Sequence, residues 1–345
     1  MKTTPLDSSD RTTASASRSL RLVRKASLPA ATAALLFFAS LTPAHAANVN
    51  LTTSNTTSGQ TGFTTASFWS NNQAPSLAND YFVNTNFILR TPGTGPGPFT
   101  FGGNSLTVNG GGLGFSTLGG SNTTINNFTL TGSGYLFSTQ NATQTLSGTL
   151  AITGTTFARL NAADTTVRNI TIDSTISGTG SLQVLQTGTV SLTGAGNTFS
   201  GTWKVGGDAT VGGTAYTNTS LRVSTLDASS AGSLGINSSL AASSYSIIRI
   251  GYDWNTTGSL TLNENSTLFL DHNLTVGSLS ISGTALEEGQ YSYAFLSTTY
   301  TGFFNTTGSG GSITVGAIPE PSSFAALAGG TVLFGCSFFR RRRHS

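Results

Sequence analysis

Cysteine is nearly missing from this chain of 345 residues, and the one present, Cys336, lies in an apolar run near its end. No internal disulfide can form, so packing and hydrogen bonds must hold the fold. Charge is scarce at 8%. Histidine is scarcer, and between residues 47 and 316 His272 stands alone. A histidine-based metal site there lacks partners. Its neighbour Asp271 cannot serve it as a triad acid from an adjacent strand position, because successive strand residues face opposite sides. An amphipathic helix of ordinary length is also missing between residues 47 and 316, which excludes a bundle or a doubly wound fold. The net charge of +3 is misleading. Six of the 16 basic residues precede residue 47 and four follow residue 316, leaving the middle at about −4. The middle has no basic face for nucleic acid.

Alternation of period two fills this middle. Leu146, Leu150 and Ile152 alternate with Ser147, Thr149 and Ala151; Ile170 and Ile172 with Asn169, Thr171 and Asp173; Val190 and Leu192 with Thr189, Ser191 and Thr193. Leu260 and Leu262, Leu274 and Val276, Leu279 and Ile281, and Ile313 and Val315 repeat the pattern. Short strands half-buried on one face follow, bounded by glycine and asparagine turns. The fold class is therefore all-β. The strand spacing permits a solenoid, a barrel or a sandwich, and stacked coils of about 20–30 residues would number on the order of ten. A β-sandwich is the alternative.

Chemistry-bearing residues are few. The acids of the middle are Asp80, Asp164, Asp173, Asp208, Asp227, Asp253, Glu264, Asp271, Glu287 and Glu288. Coil stacking would allow Asp164 to approach Asp173, or Asp253 to approach Asp271, as a carboxylate pair. Arg90, Arg159, Arg168, Lys204, Arg222 and Arg249 are the available cations. No calcium-binding repeat occurs, and Asn109-Gly110-Gly111-Gly112-Leu113-Gly114 lacks the lysine and following helix of a phosphate loop and reads as a turn. Trp203, Tyr252 and Trp254 would stack on sugars if exposed and fill corners if buried. No catalytic residue, metal ligand or cofactor is expected.

The two ends read as addresses. Lys2, Arg11, Arg18, Arg21, Arg24 and Lys25 precede the apolar run 28–41, and Ala44-His45-Ala46 precedes Ala47. This is the order of a secretory signal peptide spanning 1–46, cut between Ala46 and Ala47. At the other end Pro319-Glu320-Pro321 leads into the uncharged run 322–339 and then Arg340, Arg341, Arg342 and Arg343. Eighteen helical residues span about 27 Å, just under the hydrocarbon thickness of about 30 Å. The arginines would hold that end in the cytoplasm.

Residues 317–345 resemble the PEP-CTERM sorting signal of Gram-negative bacteria. The resemblance implies Sec export, transient anchoring in the inner membrane by a C-terminal transmembrane helix, and cleavage by an exosortase that passes the body to the surface or extracellular matrix. Residues 175–212, with Gly178-Thr179-Gly180-Ser181-Leu182, Gly188-Thr189-Val190-Ser191-Leu192 and Asn197-Thr198-Phe199-Ser200-Gly201, resemble an autotransporter-associated β-strand repeat. Val190 and Phe199 replace that pattern's leucine and tyrosine. This resemblance implies a right-handed parallel β-helix. The expected organisation is a signal peptide over 1–46, an N-terminal cap or first coils over 47–100, a solenoid over 101–316 and the sorting signal over 317–345. The expected role is non-enzymatic: a surface or matrix adhesion protein touching exopolysaccharide or neighbouring matrix proteins. A polysaccharide-active enzyme or a carbohydrate-binding module is the alternative.

Overall fold

The computed structural model describes residues 46–316 apart from 57–61, 94–96, 118, 139 and 161–166. The expected signal helix, the transmembrane helix, Pro319-Glu320-Pro321, Arg340–Arg343, Ala44 and Asp164 lie outside the described residues. Among the described residues no helix is long and apolar enough to cross a membrane.

Two sheets dominate, one of 13 strands and one of 10, and from Asn79 onward the chain passes from one to the other coil by coil. Consecutive rungs of each sheet pair in parallel, as Ser105–Asn109 does on Asn79–Asn84 in the wide sheet and Gly112–Phe115 on Ile88–Arg90 in the narrow one. The molecule is a parallel β-solenoid. The sandwich alternative is overturned, because a sandwich is built from antiparallel neighbours. Antiparallel ladders among the described strands are confined to the hairpin Ala209–Val211/Thr214–Tyr216 and to Thr284–Leu286 and Gly289–Ser292 near the last coils.

The inward columns explain the alternation. Leu106, Phe128, Leu150 and Ile176 stack rung upon rung. So do Ile170, Val190, Leu226, Ile248 and Leu268 further along. On the narrow sheet Leu89, Leu113, Leu136, Ala158, Val184 and Val205 form a matching column. All of these side chains are fully buried. Each rung hides its aliphatic row against the next, so stacking replaces a globular core.

Most coils are short: Ile170 pairs with Val190, 20 residues on, and Phe128 with Leu150, 22 residues on. Three are longer: Val49 pairs with Tyr81, 32 residues on, and Val190 pairs with Leu226 and Leu268 with Phe304, each 36 residues apart. Of the last two, the first excess carries the hairpin 209–216 and the second carries the antiparallel strands and the seven-residue helix Tyr293–Thr299. The coil number stays on the order of ten, since the eleven parallel strands along the wide sheet make ten steps. Nine parallel strands stack in the narrow sheet, about eight turns.

The segment 175–212 shows why its motif has the residues it has. Asn197 sits at an inner corner, where its Oδ1 accepts from Ile176 N–H at 2.7 Å and its Nδ2 donates to Ser233 O at 2.7 Å. It thereby ties three successive coils. Phe199 is fully buried against Trp203, with ring centroids 4.7 Å apart. Gly201 lies where a Cβ would collide with Gly180 O of the coil before. Asparagine, aromatic and glycine at this spacing are respectively a strut, a filler and a close approach.

At the other end Ala47–Asn50 pairs with Asn79–Asn84. Phe63, Trp69, Tyr81 and Phe101 pack there as one cluster, with Trp69 edge-on to Tyr81 at 4.8 Å. Trp69 Nε1 donates to Gly62 O at 2.7 Å, which satisfies the indole inside an apolar group.

Candidate functional site

The sequence candidates are dispersed. Asp80 Oδ1 accepts from Asn104 Nδ2 at 2.9 Å and Ser105 Oγ at 2.6 Å, and Asp173 Oδ1 accepts from Thr193 Oγ1 at 2.9 Å. Asp271 Oδ1 accepts from Thr306 Oγ1 at 2.7 Å and Thr307 N at 2.6 Å. Burial pushes its carboxyl up, but the hydrogen bonds from Thr306, Thr307 and Gly308 outweigh that and hold it below the ordinary aspartate range. His272 Nδ1 lies 3.7 Å from Asp253 Oδ1, so its acidic neighbour is one coil away and is not Asp271. Among the described residues no three His, Cys, Asp or Glu side chains gather as a metal site. Asp80, Asp173, Asp253 and Asp271 thus bind the chain to itself.

The aromatic candidates are corner fillers. Trp203 and Trp254 are buried and donate their indole N–H to Leu234 O at 2.9 Å and Gly235 O at 3.2 Å. Tyr252 Oη accepts from Leu234 N at 3.0 Å. No tryptophan platform is on offer. The glycine-rich stretch is a turn between Ser105–Asn109 and Gly112–Phe115, with Gly110 at φ +73°.

Among the described residues, two clusters stand out from the Ser/Thr/Asn exterior. The first lies on the outer side of the narrow sheet, where its outward columns read Ile88, Gly112, Tyr135, Phe157, Gln183 and Arg90, Gly114, Phe137, Arg159, Leu185. A Cβ on Gly112 would sit 2.6 Å from the Tyr135 ring, and one on Gly114 would collide with Phe137. The glycines let both rings lie flat on the sheet. The hairpin 209–216 folds over them, and Tyr135, Phe137, Phe157, Leu185, Val211 and Tyr216 form a second small core.

Two guanidinium groups converge on this core. Arg90 Cζ is 5.3 Å and Arg159 Cζ 4.8 Å from the Phe137 ring centre, and Arg159 also lies 5.2 Å from both Tyr135 and Tyr216. Arg90 is nearly buried and fixed: Nε donates to Asn55 O at 2.8 Å and Nη1 to Ser116 Oγ at 3.2 Å. Arg159 is half-exposed and donates to Tyr216 Oη. Burial, and then the like charge of Arg159, lowers the Arg90 pKa from its ordinary value. Reading the sequence strand by strand missed this cluster. Its signal was present in the replacement of outward Thr and Ser by Gly, aromatic and Arg at residues 112–114, 135–137 and 157–159.

The second departure is a groove of about 520 Å³ lined by Gln290, Tyr291, Ser292, Phe295 and Ser312. Its rings, 5.7 Å apart, include Phe295, which is 48% exposed.

The PEP-CTERM protein-sorting motif matches residues 317–343. Comparison with curated proteins and with solved structures finds no match. The motif implies a chain that is exported, engaged by an exosortase as its processing partner and sorted through the membrane toward the surface.

Proposed function

We propose that this protein is a non-enzymatic structural or adhesion component of the cell surface or extracellular matrix. The reading is carried by one conjunction: a PEP-CTERM motif at 317–343 on the same chain as a parallel β-solenoid. Sec export and cleavage between Ala46 and Ala47 would release a body whose first strand, Ala47–Asn50, starts at that bond. Cleavage near Pro319-Glu320-Pro321, after the chain leaves its last strand Ser312–Val315, would free the rod from its anchor. The division at residues 46, 100 and 316, the right-handed coiling expected of parallel crossovers and the kinship of 175–212 to the autotransporter-associated repeat belong to the same reading.

The mechanism is mechanical. Long outward columns present small polar groups, such as Asn169, Thr189 and Thr225, or Thr171 and Ser191, at the rung spacing of about 4.8 Å. Such rows suit repeated hydrogen bonding to exopolysaccharide or to neighbouring matrix chains. The hydrogen bonds that Asp80, Asp173, Asp253 and Asp271 accept within the chain support the non-enzymatic part. Replacing Pro319-Glu320-Pro321 by alanines should leave uncleaved protein in the inner membrane, read by the mass of the chain in each cell fraction. Loss of the tail at wild-type rate in that variant would refute exosortase sorting. Unchanged matrix composition and adhesion in a deletion strain would refute the structural role.

A further inference from the structure

The solenoid body is acidic overall, at about −4, with six cations in all. Two of those six crowd the same phenylalanine ring. Like charges brought together and partly desolvated are costly unless an opposite charge joins them. Yet among the described residues the one ion pair is His272 with Asp253, and no carboxylate reaches Arg90 or Arg159. The aromatic faces offset part of the repulsion. They supply no acceptor for the remaining N–H groups.

The two arginines differ in what they have left to give. Arg90 spends its Nε, Nη1 and Nη2 on Asn55 O, Ser116 Oγ and Thr56 O. It is a fixed, buried source of positive field. Arg159 donates to Tyr216 Oη and is half-exposed. A guanidinium carries five N–H donors in a planar fork, and among the described residues Arg159 has Tyr216 Oη as its hydrogen-bond acceptor. The Tyr135 phenol shares this neighbourhood: burial raises its pKa, while Arg159 and Arg90 pull it back down. The hairpin covers the rings, and Arg159 is the member of the cluster left partly exposed, so an acidic group of a polymer can be laid against it from outside.

We propose that Arg159, backed by Arg90 and flanked by Tyr135 and Tyr216, binds the carboxylate of a uronic acid residue in an acidic polysaccharide. A planar carboxylate meets the guanidinium fork at two points, and the fixed charge of Arg90 adds attraction without further ordering. The hairpin 209–216 holds Tyr216 in place and so completes one wall. The inference rests on the polysaccharide-contact reading above and assigns it a residue and a ligand chemistry.

The test is calorimetric titration of the purified protein with oligogalacturonate at low salt, beside a neutral maltooligosaccharide and dextran sulfate. Saturable binding to the uronate oligomer is expected, weakened by salt and absent for the neutral sugar. Arg159→Gln should weaken it about ten- to hundredfold, the range for losing hydrogen bonds to a charged group. Arg159→Lys keeps the charge and loses the fork, and should fall between; it carries the test if Arg159→Gln does not fold. Thermal midpoints of the variants establish that the fold is retained. Equal affinity for the neutral sugar, preference for the sulfated polymer, or an unchanged constant in folded Arg159→Gln would overturn the proposal. So would binding that appears only in Asp164→Asn, since the chain's own acid would then be the occupant. Because binding is read on isolated protein, its failure leaves sorting and matrix retention untouched, and failure of those in cells leaves the binding constant intact.

Discussion

Asn197→Ala is the substitution whose cost follows most directly from the coil-to-coil hydrogen bonds. The side chain is 5% exposed and makes three hydrogen bonds: from Ile176 N, to Ser233 O, and to Gly194 O at 3.3 Å. Alanine leaves the Ile176 N–H and the Ser233 carbonyl without their partner at a dry corner. Each buried group left unpaired costs about 1–3 kcal/mol, so the expected loss is about 2–6 kcal/mol. That is a large part of the roughly 5–15 kcal/mol that holds a typical domain together. In a solenoid each coil touches only its neighbours, so the damage should centre on coils near 176, 197 and 233 and can split one unfolding step into two. Urea unfolding followed by circular dichroism measures the loss, and hydrogen exchange maps it. Asn197→Asp sharpens the test. It keeps the acceptor for Ile176 N and sets an anion against the Ser233 carbonyl, so it should be at least as damaging at neutral pH and milder in acid, where it protonates. Asn122, exposed and hydrogen-bonded to Ser147 Oγ at 2.8 Å, is the control, with an expected change within about 0.5 kcal/mol on conversion to alanine. A loss below about 1 kcal/mol for Asn197→Ala would refute the account of the corner as a strut.

Gly114→Ala should destabilise by about 1–3 kcal/mol, because the new methyl displaces the Phe137 ring from the sheet; near-ultraviolet circular dichroism and thermal melting would register it, and an unchanged midpoint would contradict the packing described. Asp271 adds a pH dependence. Its carboxyl is held below the ordinary range, so its contribution is complete at and above that range and is lost as pH falls through the lowered value. Acid melting curves of wild type and Asp271→Asn should therefore converge at the acid end and separate toward neutral pH, with wild type the more stable.

The rungs were legible in the sequence because burial on one face leaves a period-two mark. Every aliphatic residue named in the alternation, from Leu146 to Val315, is inward and buried. The parallel pairing was expected only through the resemblance of 175–212 to a known repeat; in the structure Asn197, Phe199 and Gly201 bond to, fill against and closely approach neighbouring coils. The unequal coil lengths were not legible, since the insertions at 206–223 and 282–303 carry strand-like sequence of their own and disguise the period. The arginine–aromatic cluster was hidden for a related reason. Residues 90, 114, 137 and 159 become neighbours only once the register is fixed. His272 shows the same effect, because its partner Asp253 lies 19 positions away and not beside it.

A chain with no disulfide in its body and few charges spends nearly all its apolar residues on inward columns, and this constrains where recognition can occur. Among the described residues the inward columns are filled by buried, mostly aliphatic side chains, so opening a cavity between the sheets there would break their stacking. Recognition must use the outward columns, and on most of these Ser, Thr and Asn offer weak, repeated, sequence-tolerant hydrogen bonding. That arrangement suits contact spread along a rod better than one tight site. A place that adds strength must carry either charge or exposed ring surface. Among the described residues the paired arginines over Phe137, Arg249 over Phe269 and the groove at Tyr291 and Phe295 near the last coils are such places. If adhesion is the role, removing the polar columns of one coil should lower it slightly, whereas Arg159→Gln should lower retention in an acidic matrix well beyond its share of the surface. Retention that fell evenly with every coil altered would make the rod a uniform scaffold and the arginine cluster a clamp for its own hairpin.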